Sequence, residues 1–325
     1  MISSIKNRLM TGCVLTFFPI LIVWADDIYP SRAIELVTHR TAGSTFQGAR
    51  IIADALSPLL GVPVVVTPKA AGGGTVAPAS VATAKADGYT LLVANSGSNG
   101  TVPTIMSVSY KNSDFRFIAM YGTQPMTLVV KRDAPWKTLQ ELVADVKANP
   151  GKFNYATSSV GAQSHFFMEM FKYSAGNLKI EQVPFRGAPE SVQAILGGHV
   201  EVGSTYLADV KSQVDAGLLR ILAVPEERRI VVYPTVPTFA ESGYTDVVST
   251  AWFGIASPAG TPNNITEKLE VALRKVIEDP EVKKRLATIG YFPTYLNSEQ
   301  FTQFVASQEA VFKKIANQAS IKISN

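Results

Sequence analysis

The chain is poor in the residues that most often carry chemistry, with one cysteine and three histidines among 325 residues. A single cysteine, Cys13, excludes an internal disulfide, and His39, His165 and His199 lack the short spacing typical of a metal site. No serine lies in the G-x-S-x-G turn that many hydrolases share. These absences favour a binding protein over an enzyme of a recognisable motif class.

Charged residues are also scarce. They make up 17% of the chain, against 46% hydrophobic residues, which is typical of a globular protein with sizeable cores. The formal net charge is +4, and removal of Lys6 and Arg8 with an N-terminal leader would leave 28 basic and 26 acidic residues, or +2. This near-neutral balance, without a basic cluster interleaved with aromatic residues, does not indicate nucleic-acid binding. A length of 325 residues predicts two domains.

The first 25 residues predict a secretory signal peptide. Lys6 and Arg8 precede an apolar run from Leu9 to Val23, and Val23-Trp24-Ala25 predicts cleavage after Ala25. The run is short for a membrane span, so we expect the mature protein to function outside the cytoplasm. A membrane anchor and lipidation at Cys13 are the alternatives.

The middle of the chain repeats one local plan three times: a short β-type run, a loop of small polar residues, and a helix. The runs are Phe153–Ala156, Ile180–Val183 and Val200–Gly203. Such units in series predict a parallel sheet whose loops meet at one edge. Free backbone N–H groups at the helix starts suit an anion there. The sequence therefore predicts an anion-binding site at this edge.

The N-terminal part follows the same plan, with predicted strands at Ile34–Val37, Val64–Thr67 and Tyr89–Ala94. Two further extended runs, Thr127–Lys131 and Trp252–Ala256, flank the middle block. A chain that enters and leaves a middle domain by two extended crossings predicts two lobes and a hinge.

We expect residues 1–25 to be the signal peptide. Residues 26–126 plus 253–325 should form lobe 1, and residues 127–252 should form lobe 2 with the hinge crossings.

Three local features suggest alternative functions or roles. Gly72-Gly73-Gly74 follows a strand as in a dinucleotide fingerprint, but the next strand ends in Asn95, where that motif expects an acid. His165 beside loop serines leaves a secreted serine hydrolase open, although the sequence places neither an orienting acid nor an oxyanion hole. Arg186 follows a predicted strand, and its planar guanidinium suits a carboxylate, with an interlobe salt bridge as the alternative.

A series of motifs across nearly the whole chain resembles one family, the periplasmic substrate-binding proteins of the tripartite tricarboxylate transporters, or Bug-type receptors. The motifs are Tyr29-Pro30-Ser31-Arg32, Ala42-Gly43-Ser44-Thr45, Ala49-Arg50, Gly72-Gly73-Gly74, Asp87-Gly88-Tyr89-Thr90-Leu91-Leu92, Asp114-Phe115, Asn149-Pro150-Gly151-Lys152, Val183-Pro184-Phe185-Arg186-Gly187, Leu196-Gly197-Gly198, Pro234-Thr235-Val236-Pro237-Thr238, Trp252-Phe253-Gly254 and Pro258-Ala259-Gly260-Thr261-Pro262.

The resemblance implies a type II periplasmic-binding-protein fold: two α/β lobes with mainly parallel sheets, joined by two crossing strands. It implies a monomeric periplasmic receptor, not an enzyme, that uses no cofactor and no metal. Such receptors bind a small carboxylate and deliver it to a membrane permease of one large and one small subunit. A sensor that feeds a signalling partner would have the same fold and is the alternative.

The resemblance also implies a set of ligand-binding residues between the lobes. They are Gly43, Ser44, Thr45, Phe46, Asn95, Ser96, Ser98, Ser158, Ser159, Gln163, His165, Arg186, Gly187 and Tyr206. The chain departs from the family at Phe46, where an aspartate is expected, and at Phe185, where tyrosine is commoner. Because phenylalanine cannot pair with an ammonium group, we hypothesise a carboxylate ligand with an apolar or aromatic body rather than an ordinary amino acid.

Overall fold

Nine strands and ten α-helices occur within residues 29–318, the part of the chain that the computed structural model describes. The predicted signal peptide lies outside these residues. The strands are β1 (Ile34–Thr38), β2 (Val64–Pro68), β3 (Thr90–Asn95), β4 (Phe115–Lys131), β5 (Asn154–Thr157), β6 (Glu181–Pro184), β7 (Val202–Tyr206), β8 (Leu219–Ala223) and β9 (Thr250–Pro258). The helices are α1 (Ser44–Leu60), α2 (Val76–Ala82), α3 (Val102–Ile105), α4 (Leu139–Ala148), α5 (Gln163–Ser174), α6 (Ala188–Leu196), α7 (Leu207–Asp215), α8 (Asn263–Glu278), α9 (Pro280–Thr288) and α10 (Ser298–Gln318).

The strands form two sheet regions that share β4. The first has the order β2-β1-β3-β9-β4, and the second has the order β4-β7-β5-β6, with β8 also paired to β4. Strand β1 is parallel to β2 and β3, and β5 is parallel to β6 and β7. These parallel pairs place the predicted small-polar loops at sheet edges, as the repeated strand–loop–helix plan requires.

Strand β4 passes from one sheet region to the other. Residues 115–125 pair antiparallel with β9, and residues 126–131 pair antiparallel with β7 and β8. Strand β9 leads the chain back into the first region, where it also pairs with β3. The two crossings expected from Thr127–Lys131 and Trp252–Ala256 therefore lie within β4 and β9, and the fold class is confirmed as two α/β lobes.

Helices cover both faces of each sheet region. In lobe 1, one apolar cluster contains Leu36 and Phe253, and another contains Phe117 and Trp252. In lobe 2, corresponding clusters pack on either face of β4, β5 and β7. Each lobe thus has its own buried core, which leaves the surfaces between the lobes available for a site.

Local signals in the sequence explain several element boundaries. Helix α1 ends where Gly61 adopts φ +73°, and its N–H donates to the Ser57 carbonyl. The sequence Thr138-Leu139-Gln140-Glu141 predicts a capping box, and the structure confirms it, since the Thr138 hydroxyl accepts a hydrogen bond from the Glu141 N–H at 3.2 Å at the start of α4. Within residues 29–318, no helix combines the length and the apolar character that crossing a bilayer requires.

Candidate functional site

Loops from both lobes enclose a cavity of about 520 Å³. Lobe 1 contributes the loop after β1 and the glycine loop after β2, while lobe 2 contributes the loops after β5 and β6. The lining residues are His39, Arg40, Thr41, Ala42, Ala70, Ala71, Gly73, Gly74, Ser158, Ser159, Phe185, Arg186, Gly187, Pro189 and Glu190. The cavity therefore lies where the sequence predicts a site, at the loops that follow the parallel strands.

Arg40 extends across this cavity from lobe 1 to lobe 2. Its guanidinium donates to the hydroxyls of Ser158 and Ser159 at 3.2 and 3.4 Å, and to the Ser158 carbonyl at 3.4 Å. Burial lowers the pKa of Arg40, and the nearby Tyr206 and Asp209 oppose that shift. Among residues 29–318, Arg40 makes no ion pair, so its charge has only neutral oxygen partners there.

His39 and Asn95 support the loop that carries Arg40. The Asn95 amide nitrogen lies 3.2 Å from Nδ1 of His39 and 2.7 Å from the Ser98 hydroxyl. The Asn95 side-chain oxygen accepts the N–H groups of Gly97 and Ser98, each at 3.0 Å, and so caps a π-helical turn. Burial lowers the pKa of His39, so its ring is neutral near pH 7. Asn95 and Ser98 are therefore buried behind His39, and they are absent from the residues that line the 520 Å³ cavity.

The second glycine loop lies against Val160 of lobe 2 and against His39 of its own lobe. A Cβ on Gly73 would lie 3.4 Å from the backbone oxygen of Val160 in lobe 2, and one on Gly74 would lie 3.2 Å from the His39 ring. Both residues have a positive φ, which favours glycine. The positive φ values therefore explain these glycines, since a Cβ 3.4 Å from the Val160 oxygen would make an ordinary van der Waals contact.

The N-terminus of α1 is in contact with a carboxylate of the other lobe. The Ser44 N–H donates to Oδ1 of Asp209 at 3.0 Å, and the Ser44 hydroxyl donates to Oε1 of Gln124 at 3.2 Å. Burial raises the pKa of Asp209, while the Ser44 N–H and the Arg40 charge oppose that shift. Gly43 and Ser44 line a second cavity of about 610 Å³ together with Asp209.

Tyr206 lies behind this contact, at the end of β7. Burial raises the pKa of its hydroxyl, and the ring packs edge-on against Phe253 with centroids 5.8 Å apart. Tyr206 is therefore neutral and packs against the core of lobe 1, and it is absent from the residues that line the two cavities.

Gln163 and His165 lie in the first turn of α5. Nε2 of Gln163 donates to the Ser249 hydroxyl at 2.6 Å, whereas Oε1 of Gln163 is buried without a hydrogen-bond partner in the described part of the chain. Nδ1 of His165 accepts the Gly161 N–H at 3.1 Å, and Nε2 lies 3.8 Å from Glu169. Within residues 29–318 neither ring nitrogen is hydrogen-bonded to a serine hydroxyl, so the geometry provides no serine–histidine pair for hydrolysis.

The remaining predicted residues differ in how close they are to the cavity. Arg186 and Gly187 line it, with Arg186 exposed and Gly187 at φ +149° preceding α6. Thr45 and Ser96 are buried, and the Ser96 hydroxyl lacks a partner among residues 29–318. Phe46 is half-buried on α1 and is absent from the residues that line the 520 Å³ cavity.

Two residues of the site, Arg40 and Asp209, are absent from the predicted set. Arg40 is separated from Ser158 by 118 positions, and Ser44 is separated from Asp209 by 165. The sequence signal for Arg40 was its place in the loop after β1, next to His39. Asp209 follows the predicted loop residue Tyr206 by three positions. In the described chain, no three His, Cys, Asp or Glu side chains form a group that could hold a metal ion.

Comparisons with known proteins agree with this architecture. Residues 48–321 match the family model described as the tripartite tricarboxylate transporter family receptor. A protein from the gbd 5′ region of Cupriavidus necator is 35% identical over 298 residues, which is 89% of this chain and 89% of that one. The protein BugT of Bordetella pertussis is 31% identical over 301 residues, covering 91% of this chain and 92% of that one.

Solved structures with the same fold include two proteins with bound dicarboxylates. A protein of R. palustris solved with adipate is 27% identical, has a TM-score of 0.85, and is matched over 90% of this chain and 99% of that one. MatC from Rhodopseudomonas palustris, with bound malate, is 25% identical with a TM-score of 0.82, over 88% and 99%. The periplasmic binding protein BugD is 28% identical with a TM-score of 0.84, over 90% and 99%.

Proposed function

Because the chain belongs to the tripartite tricarboxylate transporter receptor family, we propose that it captures a small carboxylate between its lobes and delivers it to a membrane permease. The permease would consist of one large and one small membrane subunit. The receptor would act as a monomer in the periplasm after removal of residues 1–25. Capture requires no chemical step, no cofactor and no metal.

The observation that supports this proposal is the Arg40 guanidinium in the 520 Å³ cavity, which makes no direct ion pair within residues 29–318 and has the Asp209 carboxylate nearby. A partly buried charge without a counter-ion is costly, and a ligand carboxylate would supply that counter-ion. The planar guanidinium can bind both oxygens of a carboxylate at once. The hydroxyls of Ser158 and Ser159, already within reach of Arg40, would donate to the same group.

Residues from both lobes would then hold the ligand only when the lobes are closed. A shift of the open–closed equilibrium from 1:99 to 99:1 needs about 5.5 kcal/mol of differential binding. Each hydrogen bond to a charged group contributes about 1.5–3 kcal/mol. Two to four such bonds, from Arg40 and the serines of lobe 2, are therefore sufficient.

The walls of the cavity favour a ligand with an apolar body. Phe185, Ala70, Ala71 and Pro189 line it, so the apolar part of a ligand would lie against Phe185 rather than Phe46. Among the predicted contacts, Ser158, Ser159, Arg186 and Gly187 line the same cavity. Similar proteins solved with adipate and malate support a carboxylate as the anchored group.

A thermal-shift screen over aliphatic and aromatic carboxylates, followed by calorimetry on the best acid, tests the proposal. We expect Arg40→Ala to weaken binding of that acid by about 10- to 100-fold, since a charged hydrogen bond is lost. Arg274→Ala, which removes an exposed arginine of α8, should leave the affinity unchanged. Arg186→Ala should weaken binding less than Arg40→Ala, because the Arg186 side chain is exposed to solvent.

Two results would contradict the proposal. One is a wild-type protein that no carboxylate stabilises, and the other is an Arg40→Ala variant with the affinity of the Arg274→Ala control. Tight binding of only an uncharged solute would likewise contradict the capture of a carboxylate.

A further inference from the structure

Asp209 places a carboxylate of lobe 2 against the N-terminus of a helix of lobe 1. Its Oδ1 accepts the N–H of Ser44, the first residue of the 17-residue helix α1, at 3.0 Å. The approach depends on Gly43, which has φ +81° and whose Cβ, if present, would lie 3.4 Å from that oxygen. The contact therefore joins the lobes at a position where the backbone leaves room for it.

This carboxylate occupies the place where a helix start would otherwise attract an anion. Unpaired N–H groups and the helix dipole favour negative charge at a helix N-terminus. Helix α1 has no acidic residue of its own in its first turn, and Gly43 offers no side chain as a cap. Asp209 thus supplies from the opposite lobe the negative charge that α1 lacks.

The position of Asp209 matters for a ligand held at Arg40. The cavity lined by Arg40 and the cavity lined by Asp209 adjoin, because Ala42 and Pro189 line both. A ligand anchored at Arg40 and extended past these residues approaches Asp209. Lys211 lines the second cavity too, but it is paired with Asp215 at 2.5 Å, so its charge is already matched.

We propose that Arg40 and Asp209 together select a solute with a single carboxylate. Arg40 attracts one carboxylate, and Asp209 repels a second one while it occupies the N-terminus of α1 through the Ser44 N–H. The inference rests on the proposed function, since it concerns which acid the same cleft accepts. It distinguishes this chain from the similar proteins solved with adipate and malate, each of which holds a dicarboxylate.

Three acids of equal length test the selection: hexanoate, adipate and ω-aminohexanoate, which end in a methyl, a carboxylate and an ammonium group. The corresponding four-carbon set is butanoate, succinate and γ-aminobutyrate. By calorimetry, the wild-type protein should bind the monocarboxylate about tenfold or more tightly than the dicarboxylate of the same length, since like charges repel. Asp209→Ala should reduce that preference by about fivefold or more, mainly by tighter dicarboxylate binding.

Two further variants separate charge from structure. Asp209→Asn keeps an oxygen that can accept the Ser44 N–H, so it should fold as the wild type does and still bind the dicarboxylate more tightly than the wild type. Asp246→Asn removes one negative charge from lobe 2 at an exposed position outside both cavities, and it should leave the preference unchanged. The melting temperature of each variant shows whether it is folded under the conditions in which its affinities are measured.

The outcomes distinguish this inference from the proposed function. Wild-type binding of the dicarboxylate as tightly as the monocarboxylate, or equal preferences in the wild type and both Asp209 variants, would overturn the selection but not carboxylate capture. The ω-amino acid carries one carboxylate and an ammonium group that Asp209 attracts, so it should also bind more tightly than the dicarboxylate; weaker binding of the ω-amino acid than of the dicarboxylate would overturn the selection. A wild-type protein that binds no carboxylate in the screen would overturn both.

Discussion

Arg40 and Asp209 place opposite charges in one cleft, and each has a different kind of partner. Asp209 accepts a backbone N–H at a helix start, whereas Arg40 contacts only neutral oxygens within residues 29–318. A carboxylate ligand would therefore complete the pairing of the cation without disturbing that of the anion. At the scale of single residues, this asymmetry supports an anion as the ligand.

A second buried acid, Glu226, lies at the other side of the crossing strands and gives a pH-dependent stability. Its Oε2 accepts the Thr250 hydroxyl at 2.6 Å, and its Oε1 has no partner in the described chain. Burial raises the pKa of Glu226 to about 7, with Thr250 opposing and Glu227 adding to the shift. The folded protein thus keeps this proton up to pH 7, whereas the unfolded chain releases it near pH 4.5.

The contribution of Glu226 to the free energy of unfolding is therefore present at low pH, and it is lost as the pH rises from 4.5 to about 7. We expect Glu226→Gln to unfold at higher urea than the wild type at pH 8, by about 2–3 kcal/mol, with little difference at pH 5. Asp246→Asn, at an exposed acid that does not contribute to this shift, is the matched control. Equal stabilities of Glu226→Gln and the wild type at both pH values would show that Glu226 is not buried as an acid.

Site residues in the loops after predicted strands could be predicted from the sequence, whereas contacts between the lobes could not. Ser158, Ser159 and Gly187 follow predicted strands, and the structure places all three at the cavity. Arg40 and Asp209 could not be assigned in this way, because their partners come from the other lobe. A single sequence contains no signal for a pairing over such separations.

Among the elements, α10 connects the two lobes at a distance from the cleft. Phe312 of α10 packs edge-on against Phe166 of α5, with ring centroids 5.3 Å apart, and both rings are buried. Ile105 and Ala316 complete this cluster. The contact joins the C-terminal helix to the middle of the chain.

We expect Phe312→Ala to reduce the free energy of unfolding by about 3–5 kcal/mol, because it leaves a cavity between buried aromatic groups. Val311→Ala, at a residue that is 45% exposed on the same helix, should change it by less than about 0.5 kcal/mol. Urea unfolding followed by circular dichroism measures both. A similar small effect from both substitutions would place Phe312 outside the core.

Secondary-structure elements were predicted well where neighbouring residues determine them and incompletely where pairing with a distant strand determines them. The three parallel strands of lobe 1 and the capping box at Thr138 follow from residue patterns. Strand β4 was predicted only over Thr127–Lys131, because Gly122 and Pro125 normally interrupt strands. In the structure the pairing of β4 with β9 shifts register beside Gly122, whose missing side chain leaves room for the Phe292 backbone.

At the scale of the molecule, the contacts between the lobes at the cleft include Arg40 with Ser158 and Ser159, Ser44 with Asp209, and Gly73 near Val160. None of these contacts belongs to an apolar cluster of a lobe. Opening of the cleft would break them without exposing those clusters, whereas the buried Phe312–Phe166 contact lies between the lobes as well. The assignment of residues 26–126 plus 253–325 to lobe 1 and 127–252 to lobe 2 stays a prediction.

A crystal structure of the protein with the carboxylate that stabilises it most would test the central claim directly. We expect the carboxylate in the cavity between the lobes, with an oxygen about 2.7–2.9 Å from a guanidinium nitrogen of Arg40 and the hydroxyls of Ser158 or Ser159 as further donors. A carboxylate bound outside the cleft, or one inside it that leaves Arg40 without contact, would contradict the account.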